Sequence, residues 1–208
     1  MGRKGARQNG MRAEIAAAAA RIMAEDGIDD FALAKRKAAR RLGAADSEAL
    51  PANREVEAEL RAYRALYQAQ EHPERLEALR RLALDAMQAL ERFSPYLTGA
   101  VLSGVAGRYS GIELQLFPES PKDVELFLLD RGIPYETAEA RRYAGDRAHG
   151  AAVLALEWRR APLRLSVFDR RDERLALKTS AAGRVVERAG IAEVRALLER
   201  AGDATAPA

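Results

Sequence analysis

The stretch Tyr96-Leu-Thr-Gly-Ala-Val-Leu-Ser-Gly-Val-Ala-Gly-Arg-Tyr-Ser-Gly-Ile-Glu-Leu-Gln-Leu-Phe117 decides how this protein is read. It opens with a strand-like run, Tyr96 to Leu102, and closes with a second, Ile112 to Phe117. Between them lies a glycine-rich loop with Gly99, Gly104 and Gly107. Strand, glycine loop, strand brings backbone N–H groups close to an anion, because glycine adopts turns that other residues resist. On the second strand, alternation sends Ile112, Leu114 and Leu116 to the core. Glu113 and Gln115 face the other way.

Downstream of this stretch the sequence reads as mixed structure. Ser120 caps a helix over Lys122 to Asp130 with Pro121 at its first position, and Gly132 ends it. Val124, Phe127 and Leu128 would face a sheet. Pro134 to Tyr143 is a strand, Gly145 to Gly150 a polar loop containing His149. Ala151 to Trp158 and Leu163 to Asp169 form an antiparallel hairpin. Arg170 to Gly183 is a charged connection. Ile191 to Ala201 is a last helix, before a tail at 202–208.

Upstream of it the sequence is helical. Residues 1–10, with three glycines and three basic residues, read as a flexible basic arm. Helices follow over Met11 to Asp26 and Phe31 to Leu42, the second capped by Asp30. A third starts at Asn53 and runs to about Gln70, with Val56, Leu60, Tyr63 and Tyr67 on one stripe. His72-Pro73 breaks it, and a fourth runs from Glu74 to Phe93. The first two helices faintly resemble the start of a DNA-binding helix-turn-helix domain, but no recognition helix follows at short range. Ser94-Pro95 marks a boundary between a helical region, 11–93, and an α+β domain, 94–201, although the fourth helix could pack on the sheet.

Composition narrows the function classes. The 208 residues contain no cysteine, which rules out disulfides and thiolate metal sites and fits a reducing cytoplasm. No apolar run approaches the roughly 20 residues of a membrane helix. No Gly-x-x-x-x-Gly-Lys-Ser/Thr phosphate loop is present. Net charge is only +3, yet residues 1–43 hold ten basic residues against five acids. Lys35, Arg36, Lys37 and Arg40 cluster there. They predict a surface for nucleic acid or an acidic partner, or else an ordinary solvated helix face.

The central stretch resembles the signature of the nucleotidyltransferase superfamily, the DNA polymerase β-like and minimal nucleotidyltransferases. That signature is a hydrophobic strand, Gly-Ser, about nine residues with an internal glycine, then Ser-Asp-Ile-Asp-Leu. Gly99-Ala100 falls on Gly-Ser, Gly104 on the internal glycine, and Ser110-Gly111-Ile112-Glu113-Leu114 on the acidic segment, without a gap. The resemblance implies an α+β fold, an N-terminal helical half followed by a nucleotidyltransferase-like mixed β-sheet with flanking helices. It also implies nucleotide or phosphate binding and Mg²⁺-dependent nucleotidyl transfer, in which carboxylates hold metal ions that clamp the attacking and leaving oxygens. Phosphate would meet Gly99, Ala100, Gly104, Arg108 and Ser110.

The acids of that signature are altered. Gly111 stands at the first carboxylate position, and Glu113 at the second, as the expected metal ligand. Leu163-Arg164-Leu165 would put Arg164 at the third. Glu157 and Asp169 are the remaining candidates, each near a strand end. The expectation is therefore a divergent nucleotidyltransferase-like protein with a weakened acid set. The alternative is a non-catalytic interaction protein acting through its basic helices.

Overall fold

The computed structural model describes residues 2–28, 30–44, 50–67, 71–107, 109–179, 183 and 185–205, with side chains only for those of them from 9 to 201 other than 71. The protein is α+β and divides into two compact units: Met1–Arg75 with Val105–Ser110, and Leu76–Gly104 with Gly111–Ala208. The division falls within the fourth helix rather than at Ser94. Ala83, Ala86, Met87 and Leu90 are buried on the part that goes with the sheet.

In the N-terminal unit, α1 (Gly2–Asp26), α2 (Phe31–Arg41) and α3 (Asn53–Tyr67) pack together. Helix α1 begins at Gly2, so the residues expected as an arm belong to it. Its buried face is Ile15, Ala16, Ala19, Ala20, Ile22 and Met23. The small alanines allow close approach, and α2 answers with Ala34, Ala38 and Ala39, while Leu33 and Leu42 stay 39% exposed. Asp30 caps α2 by accepting from the Ala32 and Leu33 amides at 2.7 and 3.0 Å. Glu55 accepts from the Ala52 amide at 2.7 Å, the acidic half of a capping box that starts α3. The Tyr109 ring lies on Gly27, at φ +67°, so closely that a Cβ there would collide with it. The expected end of α3 at Gln70 and most of the loop before Pro51 lie outside the described residues.

The second unit is built on one five-stranded sheet. Helix α4 (Glu71–Ala89) and a 3-10 turn lead into β1 (Tyr96–Thr98), α5 (Gly99–Ser103) and β2 (Ile112–Leu116). Then come α6 (Pro121–Asp130), β3 (Tyr135–Ala144), β4 (Arg147–Trp158), β5 (Ala161–Val167) and α7 (Ile191–Thr205). The order is β1-β2-β5-β4-β3, with β2 and β5 parallel and the other neighbours antiparallel. Two local expectations change. Val101 and Leu102 are helical rather than strand, and the polar loop before β4 shrinks to the turn at Gly145 and Asp146, which puts His149 in a strand. Helix α7 runs on to Thr205, into the expected tail.

One face of the sheet is apolar. Leu97, Ile112, Leu114, Leu116, Leu163, Leu165 and Val167 are buried on it, and Val124, Phe127 and Leu128 of α6 are buried as well. Burial at about 25 cal/mol per Å² of apolar surface makes this face the main source of stability in the unit. The other face carries the polar residues. At one end the segment after β5 closes over it, joining Phe117, Ala151, Phe168 and Leu177 in a small cluster. Ala189 bridges to the β1 edge by two backbone hydrogen bonds with Leu97. Among the described residues, no helix is long and apolar enough to cross a membrane.

Candidate functional site

Register places the polar face residues. Glu113 lies opposite Thr98 on β1 and beside Arg164 on β5, with Ala155 next on β4. One row on, Gln115 lies between Tyr96 and Ser166. Alternation along each strand puts these side chains on one face. Glu113 and Arg164 are exposed, and among the described residues neither is ion-paired. Thr98 Oγ1 donates to the Glu113 carbonyl at 3.3 Å, tying the two strands beneath the site.

Gly99 turns the backbone from β1 into α5 at φ +71°, and the Glu113 carboxyl group packs against its Cα. Gly104 ends α5 at φ +81°, its amide donating to the Ala100 carbonyl. Arg80 of α4 donates from Nε to the Val101 carbonyl and from Nη2 to the Leu102 carbonyl, both at 3.2 Å. A cation on the last carbonyls of a helix is favourable, so this guanidinium serves the short helix. Burial pushes its pKa below the usual value.

The acids do not form a metal clamp. A Cβ on Gly111 would stand 3.0 Å from the Pro162 carbonyl oxygen and 3.2 Å from its Cβ, so the first-acid position has no room for a side chain without movement. Arg164, where the resemblance expects the third acid, lies beside Glu113. Glu157 is exposed and pairs with Pro162 at the end of the hairpin. Asp169 lies five residues beyond Arg164, about 16 Å of extended backbone. Its Oδ1 accepts from the Arg171 amide at 2.9 Å and caps a 3-10 turn. Among the described residues, no group of three or more His, Cys, Asp or Glu side chains converges on a point. A guanidinium beside a single carboxylate does not fit a two-metal site.

The expected phosphate contacts fall in different places. Gly99, Ala100 and Gly104 belong to α5 and its ends in the sheet unit, whereas Ser110 belongs to the N-terminal unit. There the buried Ser110 Oγ accepts from the Gly107 amide at 2.6 Å and closes the loop. Arg108 lies outside the described residues. The basic cluster on α2 also divides. Lys35 Nζ donates to the Pro51 carbonyl at 3.0 Å and to Asn53 Oδ1 at 2.9 Å, pinning the start of α3, and burial lowers its pKa. Lys37 lies 3.7 Å from Asp26. Arg36 and Arg40 remain exposed, one helical turn apart, and paired with no acid among the described residues.

Three polar features escaped the sequence. His149 Nδ1 lies 2.8 Å from Asp172 Oδ1, both side chains mostly buried, and this pair ties the segment after β5 to β4. Its residues are 23 apart and carry no local signal. Gln115 Oε1 and Arg188 Nη1 are buried without a hydrogen-bond partner among the described residues. Each such group costs about 1–3 kcal/mol when left unpaired. A glutamine at an inner position of a buried strand was the signal for the first. Burial, with a 3.0 Å hydrogen bond to Glu173 behind it, pushes the Tyr96 phenol above its usual pKa. Comparison of the sequence and fold with protein-family models, curated proteins and solved structures returns no match.

Proposed function

We propose that this is a divergent nucleotidyltransferase-like protein that binds a nucleotide, or another phosphate-bearing ligand, on the polar face of its sheet. The observation that carries this reading is the register of Arg164 beside Glu113, with both side chains exposed. Arginine presents a planar fork of donors that suits phosphate oxygens. Glu113 accepts hydrogen bonds from ligand hydroxyl or amino groups. The ligand's charge is met by a guanidinium rather than by metal ions, so the protein binds without two-metal transfer.

Calorimetric titration with the four nucleoside triphosphates and with pyrophosphate tests this. Arg164→Ala is expected to weaken binding at least about tenfold, as loss of a charge-assisted hydrogen bond does. Labelled nucleotides incubated with Mg²⁺ or Mn²⁺ are expected to show no transfer. Binding indifferent to Arg164, or transfer abolished by Glu113→Gln, would overturn the reading.

A second reading, favoured by the exposure of Arg36 and Arg40, has the N-terminal unit bind nucleic acid or an acidic partner. Binding should then weaken steeply with salt and with Arg36→Ala and Arg40→Ala together. Affinity that ignores both excludes it.

A further inference from the structure

Gln115 and Arg188 hold buried polar atoms that nothing among the described residues satisfies, and both lie beside the rings of Tyr96 and Phe117. Gln115 is 2% exposed, and its Oε1 has no partner. The Arg188 guanidinium lies 5.2 Å from the centre of the Tyr96 ring and 5.4 Å from that of Phe117. Those rings flank Gln115. Tyr96 pairs with it across the strands, and Phe117 follows it by two residues on the same face. Arg188 Nη2 donates to the Leu175 carbonyl at 3.1 Å, while Nη1 is buried and unpaired. An unused acceptor and an unused charged donor therefore share the same two ring neighbours, and Gln115 stands next to Ser166, one row in from Glu113 and Arg164.

We propose that Gln115 and Arg188 form an inner subsite for one sugar hydroxyl of the bound ligand, behind Arg164 and Glu113. This rests on the nucleotide reading above. A hydroxyl both donates and accepts through a single oxygen. It gives its hydrogen to Gln115 Oε1 and accepts from Arg188 Nη1. An ionised phosphate oxygen would oppose Oε1 with a lone pair, and an exocyclic amine would oppose Nη1 with a hydrogen. Strand geometry puts Glu113 about 7 Å from Gln115 along β2, with β5 about 5 Å away. That footprint suits a pentose with its phosphate, the phosphate on Arg164 and a ring hydroxyl inside.

The test is titration of the protein with the four ribonucleoside triphosphates, their 2′-deoxy and 3′-deoxy forms, and pyrophosphate. For the nucleotide that binds best, one of the two deoxy forms is expected to lose about tenfold or more in affinity, the cost of one hydrogen bond at a buried pair. Gln115→Met is expected to bind all three forms alike, while pyrophosphate binds the wild type and Gln115→Met equally. Gln115→Glu keeps the acceptor and is expected to keep the preference. If both deoxy forms bind the wild type as well as the parent does, the subsite is wrong and the nucleotide reading stands. That comparison decides even if Gln115→Met fails to fold. A preference that persists in folded Gln115→Met also overturns the subsite. Absence of binding by every nucleotide and by pyrophosphate overturns both.

Discussion

Gly99 lies against the carboxylate of Glu113, so close that a Cβ on Gly99 would stand 3.0 Å from both Cδ and Oε2. The same glycine sits at φ +71°. The two demands separate energetically. A left-handed conformation costs a non-glycine residue about 1–2 kcal/mol. The Glu113 side chain is exposed and can turn away. Gly99→Ala is therefore expected to lose about 1–2 kcal/mol in urea denaturation, for the backbone reason. Adding Glu113→Ala should recover little of it. Full recovery would place the cost in the contact instead.

Placing at position 111 the acid that the resemblance expects should fail. In Gly111→Asp the new Cβ must displace the Pro162 backbone at the start of β5, where its carbonyl oxygen lies 3.0 Å from the Cβ position. Overpacking of this kind costs about 1–3 kcal/mol. The expected result is a lower denaturation midpoint and no Mg²⁺-dependent transfer. A stable, transferring Gly111→Asp protein would contradict the reading of this strand pair.

The N-terminal unit carries an acid-sensitive link. Arg12 donates from Nε to Glu55 Oε1 at 2.8 Å and from Nη2 to Oε2 at 2.6 Å. This hydrogen-bonded pair, helped by the Ala52 amide, pulls the Glu55 carboxyl down to about 2. A depressed folded-state value means that the stabilisation is present above the unfolded glutamate value, about 4.3, and is lost as pH falls toward 2. Circular dichroism across that window should show the wild type losing its margin over Glu55→Gln. The amplitude is small because both side chains are more than a third exposed, at 40% and 35%. A constant margin from pH 5 to pH 2 would show that the pair does not act in solution.

Trp158, the sole tryptophan, reports on the hairpin. Its Nε1 donates to Asp85 Oδ2 at 2.7 Å, and Arg159 Nη2 meets Oδ1 of the same carboxylate at 2.8 Å. Asp85→Ala removes both partners. It should shift the tryptophan emission and cost about 1–3 kcal/mol, the range for a hydrogen bond to a charged group and its stranded donor. Unchanged emission and stability would show that α4 is not fastened there.

The element order was readable because its signals are local. Asp30 and Pro121 announce helix starts through capping and fixed φ, and the Arg159-Arg160 turn between two alternating runs announces the hairpin. The short helix α5 was missed because Val101 and Leu102 have strand-forming neighbours, yet Gly104 and Arg80 supply its C-terminal caps from outside the run. Lys35 looked like part of a free basic surface. Its two acceptors lie 16 and 18 residues away, beyond any helical spacing. His149 was assigned to a loop because Arg147 to Gly150 is polar, but pairing with β3 extends the strand through it.

The sequence by itself determined the α+β class, the two strands around the glycine run, and the orientation of Glu113 and Gln115. Period and capping act over a few residues, so the stretches that form these elements hold them. Only the tertiary structure decided what surrounds those side chains. The parallel pairing of β2 with β5 put Arg164 beside Glu113 and closed the space at Gly111 with Pro162. The return of the backbone after β5 buried Gln115 and brought Arg188 over Tyr96 and Phe117. Those neighbours are set by long-range closure, which no local pattern encodes.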